Sequence, residues 1–169
     1  MKAHDLRAVQ SPLKDQYRAS PQAALVTLKA AGRLGEGVTC KIETGMALVA
    51  AGLHPATGGN GLSACSGDML LEALVACAGV TLNAVATALG IELRDASLEA
   101  EGDLDFRGTL GVSKEVPVGF QSIRLRISLD TDATEGQVST LIRLTERYCV
   151  VYQTLVAAPQ IAVTVDRIS

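Results

Sequence analysis

The stretch Ser66–Leu82, SGDMLLEALVACAGVTL, decides how this chain must be folded. From Met69 to Leu89 the residues are mostly Leu, Ala and Val. Asp68 stands at the entrance and Gly90 at the exit. That is the pattern of a helix with an acid near its positive end and a left-handed glycine after its last turn. Ser66 is placed to cap the start. The run is long enough to span a bilayer. It nevertheless contains Glu72 and Asn83, lacks basic flanks, and is half Ala-grade in hydrophobicity, so the reading is a core helix buried on nearly all sides. At ~1.5 Å per residue it is on the order of 33 Å long. A domain of this size has a radius of gyration of roughly 15 Å, so the helix crosses the whole body.

Cys77 lies within this helix, sharing a face with Leu70, Leu74, Ala78, Thr81 and Val85. A second cysteine, Cys149, stands in Leu141–Leu155, LIRLTERYCVVYQTL, another apolar helical stretch. Only tertiary folding can bring the two thiols together, and a sheltered pair suggests redox chemistry more than a surface staple. A cysteine on a helix face is usually an inert packing residue. To react it must become a thiolate, which an apolar setting disfavours. Cys77 lies about three turns from the start of its own helix, and the macrodipole fades within the first turn. A cation must therefore reach it from another element.

The bulk composition fits one domain with a sizeable core. The chain has 169 residues, 48% of them apolar, 20% charged and 3% aromatic, with no Trp. A net charge of -3 without a basic stripe argues against nucleic acid as a partner. The polar N-terminus, MKAHDLRAVQSPLKDQYR, has no apolar signal core, so the expected compartment is the cytoplasm. The cysteines, Cys40, Cys65, Cys77 and Cys149, then read poorly as a disulfide framework. With no C-x-x-C and only His4 and His54, a zinc site is not expected.

Residues 1–23 read as an N-terminal arm, with a short helical segment broken at Pro12 and again at Pro21, and residues 24–169 as a single domain. Strands are predicted over Ala24–Ala31, Gly37–Thr44 and Met46–Ala51 as a glycine-punctuated meander. Cys40 falls on the inward side of the second, as a small core residue. A loop, His54–Gly61, leads into the long helix. Beyond Gly90, Leu98, Ala100, Gly102, Leu104 and Phe106 alternate with Glu99, Glu101, Asp103 and Asp105. Ile123, Leu125, Ile127 and Leu129 do the same around Arg124 and Arg126. An antiparallel pair would set acids against arginines on the wet face. Thr134-Glu135-Gly136-Gln137 reads as a capping box, opening a helix whose Val138, Leu141, Ile142, Thr145 and Cys149 share a face. A last strand is expected over Gln160–Asp166, with Ile161, Val163 and Val165 inward. Strand runs broken by a few helices indicate an α+β fold.

GGNG, then SGDMLLEALVACAGVTL, then ERYCVVYQTL followed by a strand, resembles the OsmC/Ohr family (osmotically inducible protein C / organic hydroperoxide resistance), in an OsmC-like branch. The resemblance covers roughly Ala24 to Val165. It implies an intertwined homodimer in which antiparallel sheets wrap around long helices. It also implies a thiol-dependent peroxidase that reduces organic hydroperoxides. Cys77 would attack the peroxide, Cys149 would resolve the sulfenic acid to a disulfide, and a dithiol such as a lipoylated protein would restore both thiols. No bound cofactor is implied. The family's arginine beside the reactive sulfur maps to Arg33, which would supply the cation. Its glutamate, usually in a Pro-Glu pair about ten residues before the first cysteine, maps near Asp68 in Ser66-Gly67-Asp68, with Glu72 a turn further on. Cys65 has no family counterpart. The alternative reading is a non-catalytic binding or structural dimer, with the cysteines as core residues. Hydrolysis by a cysteine with His54 as base is a weaker third.

Overall fold

The computed structural model describes residues 3–34, 40–42, 51–62, 64–165 and 167, without the side chains of residues 3–7, 9, 27–34, 40–42 and 51. The long apolar run is one helix, α2, Ser66–Leu89. It ends where Gly90 turns left-handed at φ 66°, and the Ile91 N–H closes back on Ala86 O at 2.9 Å. The start differs by one residue from expectation. Ser66 is already helical, and Cys65 holds the cap position without a side-chain bond. By length and composition, α2 is the one helix among the described residues that could cross a membrane.

Leu71, Leu74, Val75, Ala78, Leu82 and Ala86 form one buried stripe of α2. Each of the fully buried leucines contributes roughly 2 kcal/mol by leaving water. The helix is not buried all round. Met69, Leu70, Val80 and Leu89 stand 37–43% exposed, because a single chain supplies cover on one side only.

That cover is a four-stranded antiparallel sheet in the order β2-β1-β5-β6. Its strands are β1 Leu25–Leu34, β2 Cys40–Ile42, β5 Asp95–Asp105 and β6 Phe120–Asp130. The order is not a simple meander, since β1 pairs β5 from Leu25↔Asp105 to Arg33↔Ser97, across the intervening helix. Of the predicted Met46–Ala51 strand, residues 46–50 lie outside the described set. Ala51–Gly52 (β3) pairs in parallel with Ala64–Cys65 (β4). The predicted charge ladder is present: Glu99 faces Arg126 and Glu101 faces Arg124. Arg126 and Glu99 are 3.4 Å apart, as are Arg124 and Glu101, and Arg124 also pairs with Asp103. These pairs are largely exposed, so they set register more than they add stability. On the inner face Leu98 and Ala100 are fully buried.

Phe106 leaves the strand pattern to open a short helix, α3 Phe106–Thr109. It joins a second cluster with Tyr17, Ala24 and Leu110. Tyr17 belongs to α1, Ala3–Ala19, which runs through Pro12 instead of breaking there. Tertiary anchoring offsets the lost intrahelical bond. Tyr17 is 3% exposed and donates its hydroxyl to Ala56 O at 2.6 Å, while Gln10 Nε2 donates to Thr57 O at 3.3 Å.

After β6, α4 (Glu135–Tyr148) opens on the predicted capping box. The Thr134 N–H donates to Gln137 Oε1 at 2.9 Å and the Gln137 N–H to Thr134 Oγ1 at 3.4 Å. Cys149 interrupts the helix with ψ 107°, and α5, Val150–Val156, follows it. The expected last strand is absent among the described residues. Ile161, Val163 and Val165 are 80–86% exposed, and none of the described strands pairs with that segment.

Candidate active site

The fold brings Cys77 and Cys149 close enough for each thiol to shift the other's titration. Cys77 comes from the middle of α2, facing α5. Cys149 comes from the break between α4 and α5, where it ends one helix and caps the next. Its N–H donates to Thr145 O at 2.9 Å, and its Sγ accepts the Tyr152 N–H at 3.4 Å. Sequence periodicity placed Cys149 within a continuous helical face. The expected pair of helices is present as α4 and α5, and what periodicity did not place is the position of the break, where the Cys149 sulfur meets the start of α5.

The two thiols are electrostatically unlike. Burial pushes Cys77 up, but the donors around its sulfur outweigh burial and hold it below the ordinary thiol value. They are the Val151 N–H, the Cys149 thiol, the Val150 N–H and the Thr81 hydroxyl. Cys149 is pushed up to about 11, first by burial and then by its bond and charge contact with Cys77, against a partial pull from the Tyr152 N–H. The demand for positive potential at Cys77 is thus met by the start of another helix, α5, together with neighbouring hydroxyl and thiol donors. Cys77 is partly exposed whereas Cys149 is fully buried. Cys77 is therefore the more readily deprotonated of the two thiols, and Cys149 the one held protonated.

Beside the pair lies a cleft of about 430 Å³, lined by Ile123, Leu125, Ile127, Ile142 and Tyr152, with Cys149 at its base and Glu146 among its polar groups. Its walls are the half-covered inner face of β6 and the Ile142–Thr145 side of α4, and the aliphatic ones suit an alkyl group.

Asp68, also predicted for the site, lies in the first turn of α2. Nine residues separate it from Cys77, about 13 Å along the helix, so it does not join the thiols directly. Burial raises its carboxyl above the ordinary range, and His54 draws it partly back. The Arg33 backbone sits in β1 opposite Lys41 and Ser97, and its side chain lies outside the described residues. The same holds for Cys40. His54 is not in an unanchored loop: its Nδ1 accepts the Ala56 N–H at 3.0 Å, and its ring stacks on Phe106 with centroids 5.0 Å apart. Held at the Asp68 end of α2, it is no base for Cys77. Cys65 sits a further turn away, at the helix start. Among the described residues no His/Cys/Asp/Glu group of three or more could hold a metal ion.

A paired-thiol site set between helices that rest on an antiparallel sheet defines the class of this α+β protein. The chain belongs to the OsmC family: the family model described as OsmC-like protein matches residues 58–164, from the loop before α2 through both cysteines. Two solved structures share the fold. One is an OsmC-like hydroperoxide resistance protein from Jannaschia sp. CCS1, 18% identical, with TM-score 0.59, covering 82% of this chain and 91% of that one. The other is an OsmC-like protein from Mycoplasma pneumoniae, 16% identical, with TM-score 0.55, covering 79% of this chain and 86% of that one. No curated protein matches the chain.

Proposed function

We propose that this protein is a thiol-dependent peroxidase that reduces organic hydroperoxides. The observation that carries the reading is the proximity of a partly exposed thiol held below its ordinary pKa to a buried, protonated one. Family membership and the hydroperoxide-resistance relative support it. The Cys77 thiolate attacks the terminal oxygen of RO–OH, the O–O bond breaks, and the alcohol ROH leaves after taking a proton. The sulfenic acid on Cys77 is then attacked by the Cys149 sulfur, and water is lost as the disulfide forms. A dithiol, a lipoylated protein in the family pattern, returns both thiols. The apolar cleft receives the organic group.

In this reading Arg33 supports the Cys77 thiolate and Asp68 orients Arg33. The working unit is a homodimer, in which a second copy covers the exposed apolar face of α2 and the Ile161–Val165 segment. Sedimentation of the purified chain tests that assembly, and a monomer at micromolar concentration rejects it.

Intact mass after one equivalent of an alkyl hydroperoxide tests the chemistry. The expected change is a loss of two hydrogens, absent in both Cys77→Ser and Cys149→Ser. An unchanged wild-type mass rejects the peroxidase and leaves a binding or structural dimer.

A further inference from the structure

Helix α5 is two turns long and none of its residues is buried. A helix this short does not hold itself together in water, so the acceptors for its first N–H groups matter. The Gln153 N–H goes to Cys149 O at 2.9 Å. The Tyr152 N–H goes to Cys149 Sγ at 3.4 Å. The Val150 and Val151 N–H groups lie near enough to the Cys77 sulfur to help hold its pKa down. The first turn of α5 therefore starts at Cys149, whose sulfur accepts one of its donors, and stands beside Cys77. Cys149 has no exposed surface, and Val151, Tyr152 and Leu155 of α5 pack against the cluster that contains it.

We propose that α5 is a redox-released cover: the Cys149 sulfur caps it in the reduced state, and the Cys77–Cys149 disulfide uncaps it and opens Cys149 to the regenerating dithiol. The inference rests on the peroxidase reading for the source of oxidant and the identity of the reductant class. Disulfide formation removes the thiolate charge that makes Cys77 a strong acceptor. It also draws the two sulfurs together to about 2 Å, which takes Cys149 Sγ from its place under the Tyr152 N–H. With α5 loosened, a thiolate of the dithiol attacks Cys149 Sγ, the S–S bond breaks, and Cys77 departs as the thiolate, the better leaving group. The second thiol of the reductant then attacks the sulfur now bonded to Cys149. This releases the reductant as a cyclic disulfide, and Cys149 takes up a proton. The restored Cys149 thiol caps α5 again.

Hydrogen exchange at Val150–Gln153 tests the cover, comparing reduced protein with protein linked by diamide, which accepts the two thiol hydrogens without any peroxide. Mass confirms the Cys77–Cys149 link. Exchange is expected to be roughly tenfold faster after linkage, the effect of losing a helix cap. Cys149→Ser keeps an oxygen cap and forms no link, so its exchange should stay near that of the reduced wild type with or without diamide. Equal protection in linked and reduced protein overturns the proposal, as does an equal diamide response in Cys149→Ser. Diamide linkage with faster exchange, alongside inertness to alkyl hydroperoxide, removes the peroxidase reading and leaves the cover standing. Failure of diamide to link the pair overturns both.

Discussion

Thr81→Val is the substitution that most directly isolates the activation of Cys77. It exchanges a hydroxyl for a methyl of similar size and leaves the backbone donors in place. The Thr81 hydroxyl is the weakest of four donors that together outweigh burial at the Cys77 sulfur, behind the Val151 N–H, the Cys149 thiol and the Val150 N–H. A hydrogen bond to a charged group contributes about 1.5–3 kcal/mol at full strength. The weakest of several on one sulfur is worth about half the lower figure, which corresponds to roughly a threefold change in thiolate population. The sign follows from the chemistry: removing a donor destabilises the thiolate, so the titration of Cys77 moves up. Iodoacetamide labelling of Cys77, followed by peptide mass from pH 6 to 10, reads this directly. Thr81→Val should label about threefold more slowly near neutral pH and converge with the wild type above the ordinary thiol range. Cys149→Ala, which removes a stronger donor and the cap of α5, should slow labelling about tenfold. An unchanged profile for Thr81→Val refutes the reasoning. So does a rate reduced by one factor at every pH, which would mean altered access and not altered charge.

The remaining predictions concern pH and packing. Cys149 is pushed up to about 11, so its protonated form stabilises the fold fully below the ordinary thiol value of ~8.5, and that contribution is lost as pH rises toward 11. Urea unfolding should lose on the order of 2 kcal/mol across that window beyond what Cys149→Ser loses. Cys77 acts with the opposite sign: its contribution is present above the ordinary thiol value and fades as pH falls through its depressed one. Gly102→Ala places a methyl into the Phe120 ring across the β5–β6 pair, and chemical denaturation should show a loss of about 1–3 kcal/mol. Tyr17→Phe removes the hydroxyl that holds α1 to Ala56 O at 2.6 Å. A loss of about 1 kcal/mol is expected, together with faster proteolysis near residues 10–20. A neutral result would show that α1 is held by apolar contact alone.

Local features explain what could be read in the residues. The α2 run declared itself by length and by Gly90, which needs its left-handed turn. The β5–β6 ladder declared itself by strict alternation, and α4 by a reciprocal cap that involves only residues 134 and 137. Pro12 misled because a local preference was outweighed by bonds to Ala56 and Thr57, residues some forty positions away. The Ser66 cap and the inward strand at Ile161 failed for the same kind of reason, since neither depends on neighbouring residues alone.

The site divides along the same line. Sequence by itself determined the α+β class, the two cysteine-bearing segments and the family, because these follow from short-range pattern and motif. It located the thiols but not the source of their asymmetry. Tertiary structure alone decided where the chain breaks, so that α5 begins at Cys149 and stands near a thiol 72 residues before it in sequence. A thiolate's stability depends on the dipoles and burial that surround it in space, and those neighbours exist only once the chain has closed upon itself.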